Sequence, residues 1–311
     1  MNLQQLEYIL ALDRHRHFAR AASDSFVTQP TLSMMVRKLE EELGIEIFDR
    51  TRQPLVPTKE GEEIIRRAGH ILAEVDRLRD FALEMKEGIT GEFRLGIIPT
   101  LAPYLLPLFL GPFGKKFPSM KLFIREAVTN DIIRQLKSGE LDAGLAATPL
   151  HEDQLEEHPL FKEEFYAYAS KSEKLPAKKY ILPKEIDIHH LWLLQEGHCL
   201  RNQVFNLCEL KKQDAESEHV AYEAGSIETL INLVDRYQGI TIIPELATLK
   251  LSAQQKKNVR EFANPKPVRE ISLVVMKNFP RKKFLEAVKD EIISAVPLEK
   301  RKSQIKVLDI E

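Results

Sequence analysis

Through roughly the first 60 residues, apolar positions recur in steps of three and four, the spacing that gathers them on one helix face. Leu6, Ile9 and Leu10 mark a helix from Leu3 to Asp13, and Phe18-Ala19-Arg20-Ala21-Ala22 opens a second that runs to Ser25. A break at Phe26-Val27-Thr28 precedes a third, Gln29 to Leu43. Thr28 can cap it, Pro30 fits its first turn and Gly44 ends it. Ile47 to Thr58 reads as a short two-stranded wing. From about Lys59 to Glu87, Ile64, Ala68, Ile71, Val75, Leu78, Ala82 and Met85 alternate in steps of four and three. That narrow a/d seam with charged flanks predicts a dimerising coiled coil rather than a helix packed on its own domain. Gly88 and Gly91 end the helix and supply a flexible join.

Beyond Glu92 the pattern changes to alternating strands and helices. Phe93–Ile98, Leu122–Arg125, Ala143–Ala146, Leu191–Leu194, Val220–Tyr222, Ile240–Ile243 and Ile271–Val275 read as strands. Helices are expected over Pro103–Lys116, Asp131–Ser138, Arg201–Leu210 and Ile227–Tyr237, with one more near the C-terminus. The alternation predicts an α/β fold with parallel sheet, arranged as two lobes with a cleft between them. The expected organisation is a DNA-binding domain over 1–58, a linker helix and hinge over 59–90 and a regulatory domain over 91–300. Its lobes are 91–163 with 269–300, and 164–268; a loosely ordered, Lys- and Glu-rich tail follows at 301–311.

Composition narrows the function class only a little. No apolar run approaches the ~18 residues a bilayer span needs, and no basic segment followed by an apolar one opens the chain, so no membrane or secretory role is expected. The expected compartment is the cytoplasm, where thiols are kept reduced. The formal net charge of −2 means that a nucleic-acid role must rest on local charge placement. No phosphate loop, metal-ligand cluster or Ser/His/Asp motif points to an enzyme, a cofactor or a metal.

Two helices joined by a tight turn form a helix-turn-helix, whose second helix fits the major groove. Gln29, Pro30, Thr31, Ser33 and Met34 would meet the DNA early in that helix, with Arg37 and Lys38 one turn later. Arg20 adds a charge on the preceding helix, and Arg50 and Arg52 on the wing could reach phosphates or the minor groove. Glu40-Glu41-Glu42 would repel DNA and is expected at the far end. The ordered set Phe18-Ala19-Arg20-Ala21-Ala22, Gln29-Pro30-Thr31-Leu32-Ser33, Arg37-Lys38-Leu39-Glu40, Leu43-Gly44 and Phe48-Asp49-Arg50-Thr51 resembles the signature of LysR-type transcription regulators. The resemblance implies a winged helix-turn-helix, a dimerising linker helix and a two-lobed, periplasmic-binding-protein-like regulatory domain. Met34 and Met35 stand where many members carry polar or basic residues.

The chain has two cysteines, Cys199 and Cys208. Their spacing is not CxxC, and two buried structural thiols would be the ordinary reading. Cys199, however, follows a strand where a helix should begin. There the helix N-terminus can favour a thiolate, and His198 and Arg201 add donors or charge. Cys208 lies among Val204, Phe205 and Leu207 as a protected thiol. If residues 199–208 are helical, nine steps of rise separate the sulfurs by ~13 Å along the axis. A disulfide needs Cα atoms within ~7 Å, so the bond would require that segment to unwind.

Gly197-His198-Cys199-Leu200-Arg201 with Gln203 and Cys208 also resembles the sensor motif of peroxide-responsive members of the LysR type. Further matches are His15-Arg16-His17-Phe18, Ile98-Pro99-Thr100, Pro103-Tyr104-Leu105-Leu106-Pro107 and Glu228-Thr229-Leu230 with Gly239-Ile240-Thr241, so that the likeness spans nearly all of 1–295. It implies Cys199 as the peroxidatic thiol, Cys208 as the resolving thiol, and Thr100, His198 and Arg201 as peroxide-pocket residues. Thr129, His219 and Arg269 would be pocket or packing counterparts, and Glu209–Glu218 departs from the pattern. The implied partners are promoter DNA, hydrogen peroxide, RNA polymerase, further copies of the chain as a dimer of dimers, and a cytosolic thiol reductant. A metabolite-sensing regulator and a turning-over thiol peroxidase are the alternatives. The cysteine pair argues against the first and the helix-turn-helix against the second.

Overall fold

The computed structural model describes residues 1–87, 89–170, 173, 180–208, 224–297 and 305–308. One body is built on residues 1–88 and a second on residues 89–136 and 141–311.

The first body opens with helices α1 (Leu3–His15), α2 (Phe18–Asp24) and α3 (Gln29–Leu43). Asn2 Oδ1 accepts from the Gln5 amide at 2.9 Å to start α1. Thr28 Oγ1 accepts from the Thr31 amide at 3.4 Å to start α3, and Pro30 sits in its first turn. Gly44 closes α3 at φ 68°, a left-handed conformation that glycine adopts without penalty. The wing is an antiparallel pair, β1 (Phe48–Asp49) with β2 (Val56–Pro57), and α4 (Lys59–Glu87) follows. Leu6, Ile9, Leu12, Leu32, Val36, Leu39 and Phe48 bury a single core, each worth about 1.5–3 kcal/mol.

The seam of α4 divides along its length. Ala68 is buried in that core and Ile64 packs against it. Val75 is half-buried, while Ile71, Leu78, Ala82 and Met85 are exposed, Met85 at 74%. The first turns therefore serve their own domain and the later ones carry an apolar stripe, with His70, Ile71, Glu74, Val75 and Leu78 around an open groove.

The second body contains β3 (Gly91–Ile97), α5 (Ala102–Lys116), β4 (Met120–Glu126), α6 (Thr129–Ser138), β5 (Ala143–Thr148) and β6 (Leu155–Ala169). Then come β7 (Tyr180–Ile181), α7 (Cys199–Cys208), α8 (Ile227–Tyr237), β8 (Ile240–Pro244) and α9 (Glu245–Thr248). The chain continues through β9 (Val259–Phe262), β10 (Lys266–Met276), α10 (Lys282–Ala295) and β11 (Ile305–Val307). β3 lies between β4 and β5, parallel to both. β10 adds antiparallel to β5 and to the first part of β6. From Phe165 onward β6 instead pairs antiparallel with β8 and β9. A single 15-residue strand thus passes from one lobe's sheet into the other's.

Three expectations need revision. The sheets are mixed rather than parallel, because β6 and β10 cross between lobes and run against their neighbours. Leu191 to Leu194 forms isolated bridges, Leu191 to Ile240 and Leu194 to Ala224, rather than a strand. Residues 305–307, expected in a loose tail, pair with β10. The expected strand over 220–222 lies outside the described residues.

Candidate functional site

On the helix-turn-helix, Arg20, Gln29, Pro30, Met34, Arg37, Lys38, Arg50 and Arg52 are exposed, and Thr31 and Ser33 are partly so. Glu40 behaves unlike its two acidic neighbours. It is 8% exposed and its carboxylate accepts from the amides of Ile47 (2.9 Å) and Phe48 (3.2 Å) and from Arg50 Nη2 (2.6 Å). Glu40 therefore ties α3 to the wing, and Arg50, whose guanidinium also lies over the Phe18 ring at 5.7 Å, is positioned by it. Arg37 is paired with Glu41 at 2.9 Å and Arg52 with Asp49 at 3.2 Å, both at the surface. Such exposed pairs are weak and give way to phosphate at little cost. Glu40 was not among the expected functional residues. Its signal in the sequence was its place in the Arg37-Lys38-Leu39-Glu40 run.

The thiol site assembles from four separate elements of the second body. Thr100 follows β3, Thr129 opens α6, Arg269 lies in β10 and Cys199 opens α7 after Gly197, whose φ of 92° turns the chain into the helix. Arg269 is fully buried and fully committed. Its Nε donates to Glu163 at 2.7 Å, Nη1 to Thr100 Oγ1 at 2.9 Å and Nη2 to the Thr100 carbonyl at 3.2 Å. Arg269 and Glu163 stand directly opposite on β10 and β6, and the other Glu163 oxygen accepts from the Leu246 amide at 3.1 Å. Sequence reasoning missed Glu163, since it lies in β6, a strand not foreseen, and its partner is 106 positions away.

Burial pushes the Cys199 thiol up from its ordinary value. The Arg269 charge, the Thr129 hydroxyl and the helix-start amides of Cys199 and Leu200 act in the opposite direction but do not prevail. The physical reason is that the thiol is fully buried, so desolvation of its charged form outweighs them. The side chains that favour the thiolate are Arg269 and Thr129 rather than the sequence neighbours His198 and Arg201. Arg201 Nη1 donates to the Leu194 carbonyl at 2.6 Å and its guanidinium lies over Phe205. His198 is buried, which lowers its affinity for a proton. Thr129 Oγ1 is buried and, apart from the Cys199 thiol it faces, meets no hydrogen-bonding group. Cys208 is half-buried, and burial pushes its thiol up to about 12. His219 lies outside the described residues.

Both cysteines are free, at opposite ends of one unbroken helix. Among the described residues, no group of His, Cys, Asp and Glu could hold a metal ion and no helix is long and apolar enough to cross a membrane.

Residues 3–62 match the family model for the bacterial regulatory helix-turn-helix protein of the lysR family, and residues 86–296 match the LysR substrate binding domain. The chain belongs to the LysR family of transcription regulators. This regulator is 35% identical over 298 residues to a hydrogen peroxide-inducible genes activator of Haemophilus influenzae, covering 94% of this chain and 98% of that one. The solved full-length OxyR of Pseudomonas aeruginosa, a variant at one cysteine, superposes with a TM-score of 0.77 at 33% identity, covering 95% of this chain and 99% of that one. A Corynebacterium glutamicum OxyR variant solved with hydrogen peroxide bound is 25% identical, with a TM-score of 0.61 and coverage of 94% and 92%. The LysR regulator is accordingly a DNA-binding protein and not an enzyme, and within the family it is similar to OxyR.

Proposed function

We propose that this LysR regulator senses hydrogen peroxide through Cys199 and Cys208 and, in the cytoplasm, activates promoters of an oxidative-stress response. The observation that carries this reading is the pair of free thiols at the two ends of α7, one of them buried beside Thr129 and within the field of Arg269. It is supported by relatives whose own names make them peroxide-inducible gene activators.

The Cys199 sulfur attacks one peroxide oxygen. The O–O bond breaks, and the departing oxygen takes the thiol proton and leaves as water, so that a sulfenic acid remains. Thr129 Oγ1, which faces the Cys199 thiol, can hydrogen-bond the peroxide. Arg269 and Thr100 hold the lobe wall, and His198 and Arg201 complete the pocket. Cys208 then attacks the sulfenic sulfur, a second water leaves, and the disulfide forms. A cytosolic thiol reductant restores both thiols by exchange.

Across roughly 13 Å of helix the two sulfurs cannot bond. Closure therefore requires α7 to unwind, and the refolded lobe carries the signal to DNA-bound copies and RNA polymerase. The exposed stripe on α4, from Ile71 to Met85, supports a dimer, and pairing of dimers would give a tetramer.

A dimedone trap tests the chemistry. In Cys208→Ser, a short peroxide pulse should leave a sulfenic acid on Cys199 that dimedone captures, and Cys199→Ser should lose all response. A peroxide response that survives in Cys199→Ser would overturn the proposal.

A further inference from the structure

Residues 305–308 touch two parts of the framework around the thiol. β11 runs parallel to β10 with Lys266 beside Ile305 and Val268 beside Val307. It fills the edge of β10 that β5 leaves open, since β5 pairs only from Glu270 onward. The Leu308 amide donates to the Val268 carbonyl at 2.9 Å, one residue before Arg269. Leu308 is 3% exposed and belongs to the main core.

The Leu308 carbonyl in turn accepts from Gln203 Nε2 at 3.4 Å. Gln203 is fully buried, one helical turn after Cys199 and on the same α7 that ends at Cys208. Its Oε1 has no partner, so among the described residues the tail provides the only hydrogen bond its side chain makes. A buried amide left without any partner costs about 1–3 kcal/mol, which makes that one bond matter to the helix that contains it.

We propose that the C-terminal strand is a latch on the sensor helix: Leu308 and Gln203 are positioning residues that hold α7 wound while both thiols are reduced. For its consequence this rests on the peroxide-sensor reading. Unwinding α7 to join the sulfurs separates Gln203 from Leu308, so the tail sets how readily the sulfenic acid on Cys199 is captured by Cys208. It leaves the first step untouched, because neither residue donates to the sulfur. Capture forms the S–S bond and breaks the S–O bond, and the hydroxyl leaves as water with the Cys208 proton.

Hydrogen exchange on the reduced full-length protein tests the latch without peroxide. Leu308→Pro removes the amide that donates to Val268 and stops the strand. Leu308→Ala, which keeps the amide, serves if the first variant does not fold. Peptides over 199–208 should exchange roughly fivefold faster or more than in wild type, the factor that loss of one net hydrogen bond implies. Peptides over β3 and α5 should be unchanged. After a peroxide pulse, sulfenic acid should form at the wild-type rate, with disulfide closure faster by a similar factor. Unchanged exchange over 199–208, or an equal rise across β3 and α5, would overturn the latch. A wild-type protein that forms no disulfide would overturn the sensor reading alone, and the exchange comparison would still decide the latch.

Discussion

Leu200 offers a way to read the unwinding of α7 as a potential. It is 1% exposed, packed in the main core one residue after Cys199. If oxidation unwinds the helix, Leu200 leaves that site, and truncation to Ala penalises only the reduced form. Leu→Ala in a packed core costs about 2–5 kcal/mol. Taking ~3 kcal/mol, with 30 mV equivalent to about 1.4 kcal/mol for a two-electron couple, the midpoint potential should fall by ~65 mV. The sign follows from destabilising the reduced state: the disulfide becomes harder to reduce. Equilibration in glutathione or dithiothreitol buffers, with thiols trapped and counted, measures it. Leu285→Ala is the control, because α10 packs on α5 and β6 and Leu285 is also buried. It should lower the stability of both forms and leave the potential unmoved. A Leu200→Ala potential within about 10 mV of wild type would show that Leu200 is packed alike in both states, and the refolding argument would fail.

The raised Cys199 thiol predicts that sulfenic acid formation keeps accelerating from pH 6.5 up through about pH 8.5, as the thiolate fraction rises; a plateau below pH 7 in stopped-flow assays would contradict it. For Cys208, raised from 9.0 to about 12, the reduced protein should hold its full contribution below pH 9 and lose stability as pH rises toward 12, checked by denaturant titration. Glu40→Ala should strip three donors of their acceptor and lower the stability of the DNA-binding domain by about 3 kcal/mol, seen as an earlier thermal transition together with weaker DNA binding. Ala in place of the exposed Lys38 should weaken binding to all sequences and reduce the slope of log affinity against log salt by about one, and an unchanged slope would exclude a phosphate contact. Asp at both Ile71 and Leu78 should dissociate the oligomer in sedimentation, since each charge would face its own copy.

Local structure was legible where local rules decide it. Thr28, Pro30 and Gly44 bound α3, and the four-and-three spacing marked α4, because capping and amphipathicity act within a few residues. The long-range features were not. β6 reads as a mixed run of Glu, His and aromatic residues because its two halves are buried by different sheets. The Arg269–Glu163 pair depends on that strand's register, and no spacing rule anticipates it. The same pair explains why a reading from neighbouring charges misjudged the thiol: His198 and Arg201 are close in sequence, while the groups acting on Cys199 come from β10 and α6. β11 escaped notice because a charged tail becomes a strand only when an open edge, here that of β10, receives it.

On the peroxide-sensor reading, peroxide converts the two free thiols into one intramolecular disulfide. Alkylation of the remaining thiols after a short, low-dose peroxide pulse, followed by mass spectrometry of the intact chain and its peptides, measures this directly. Both alkylation sites should be lost together, with a single peptide cross-link between Cys199 and Cys208. Oxidation that stops at one cysteine, or a cross-link found only between two chains, would contradict it.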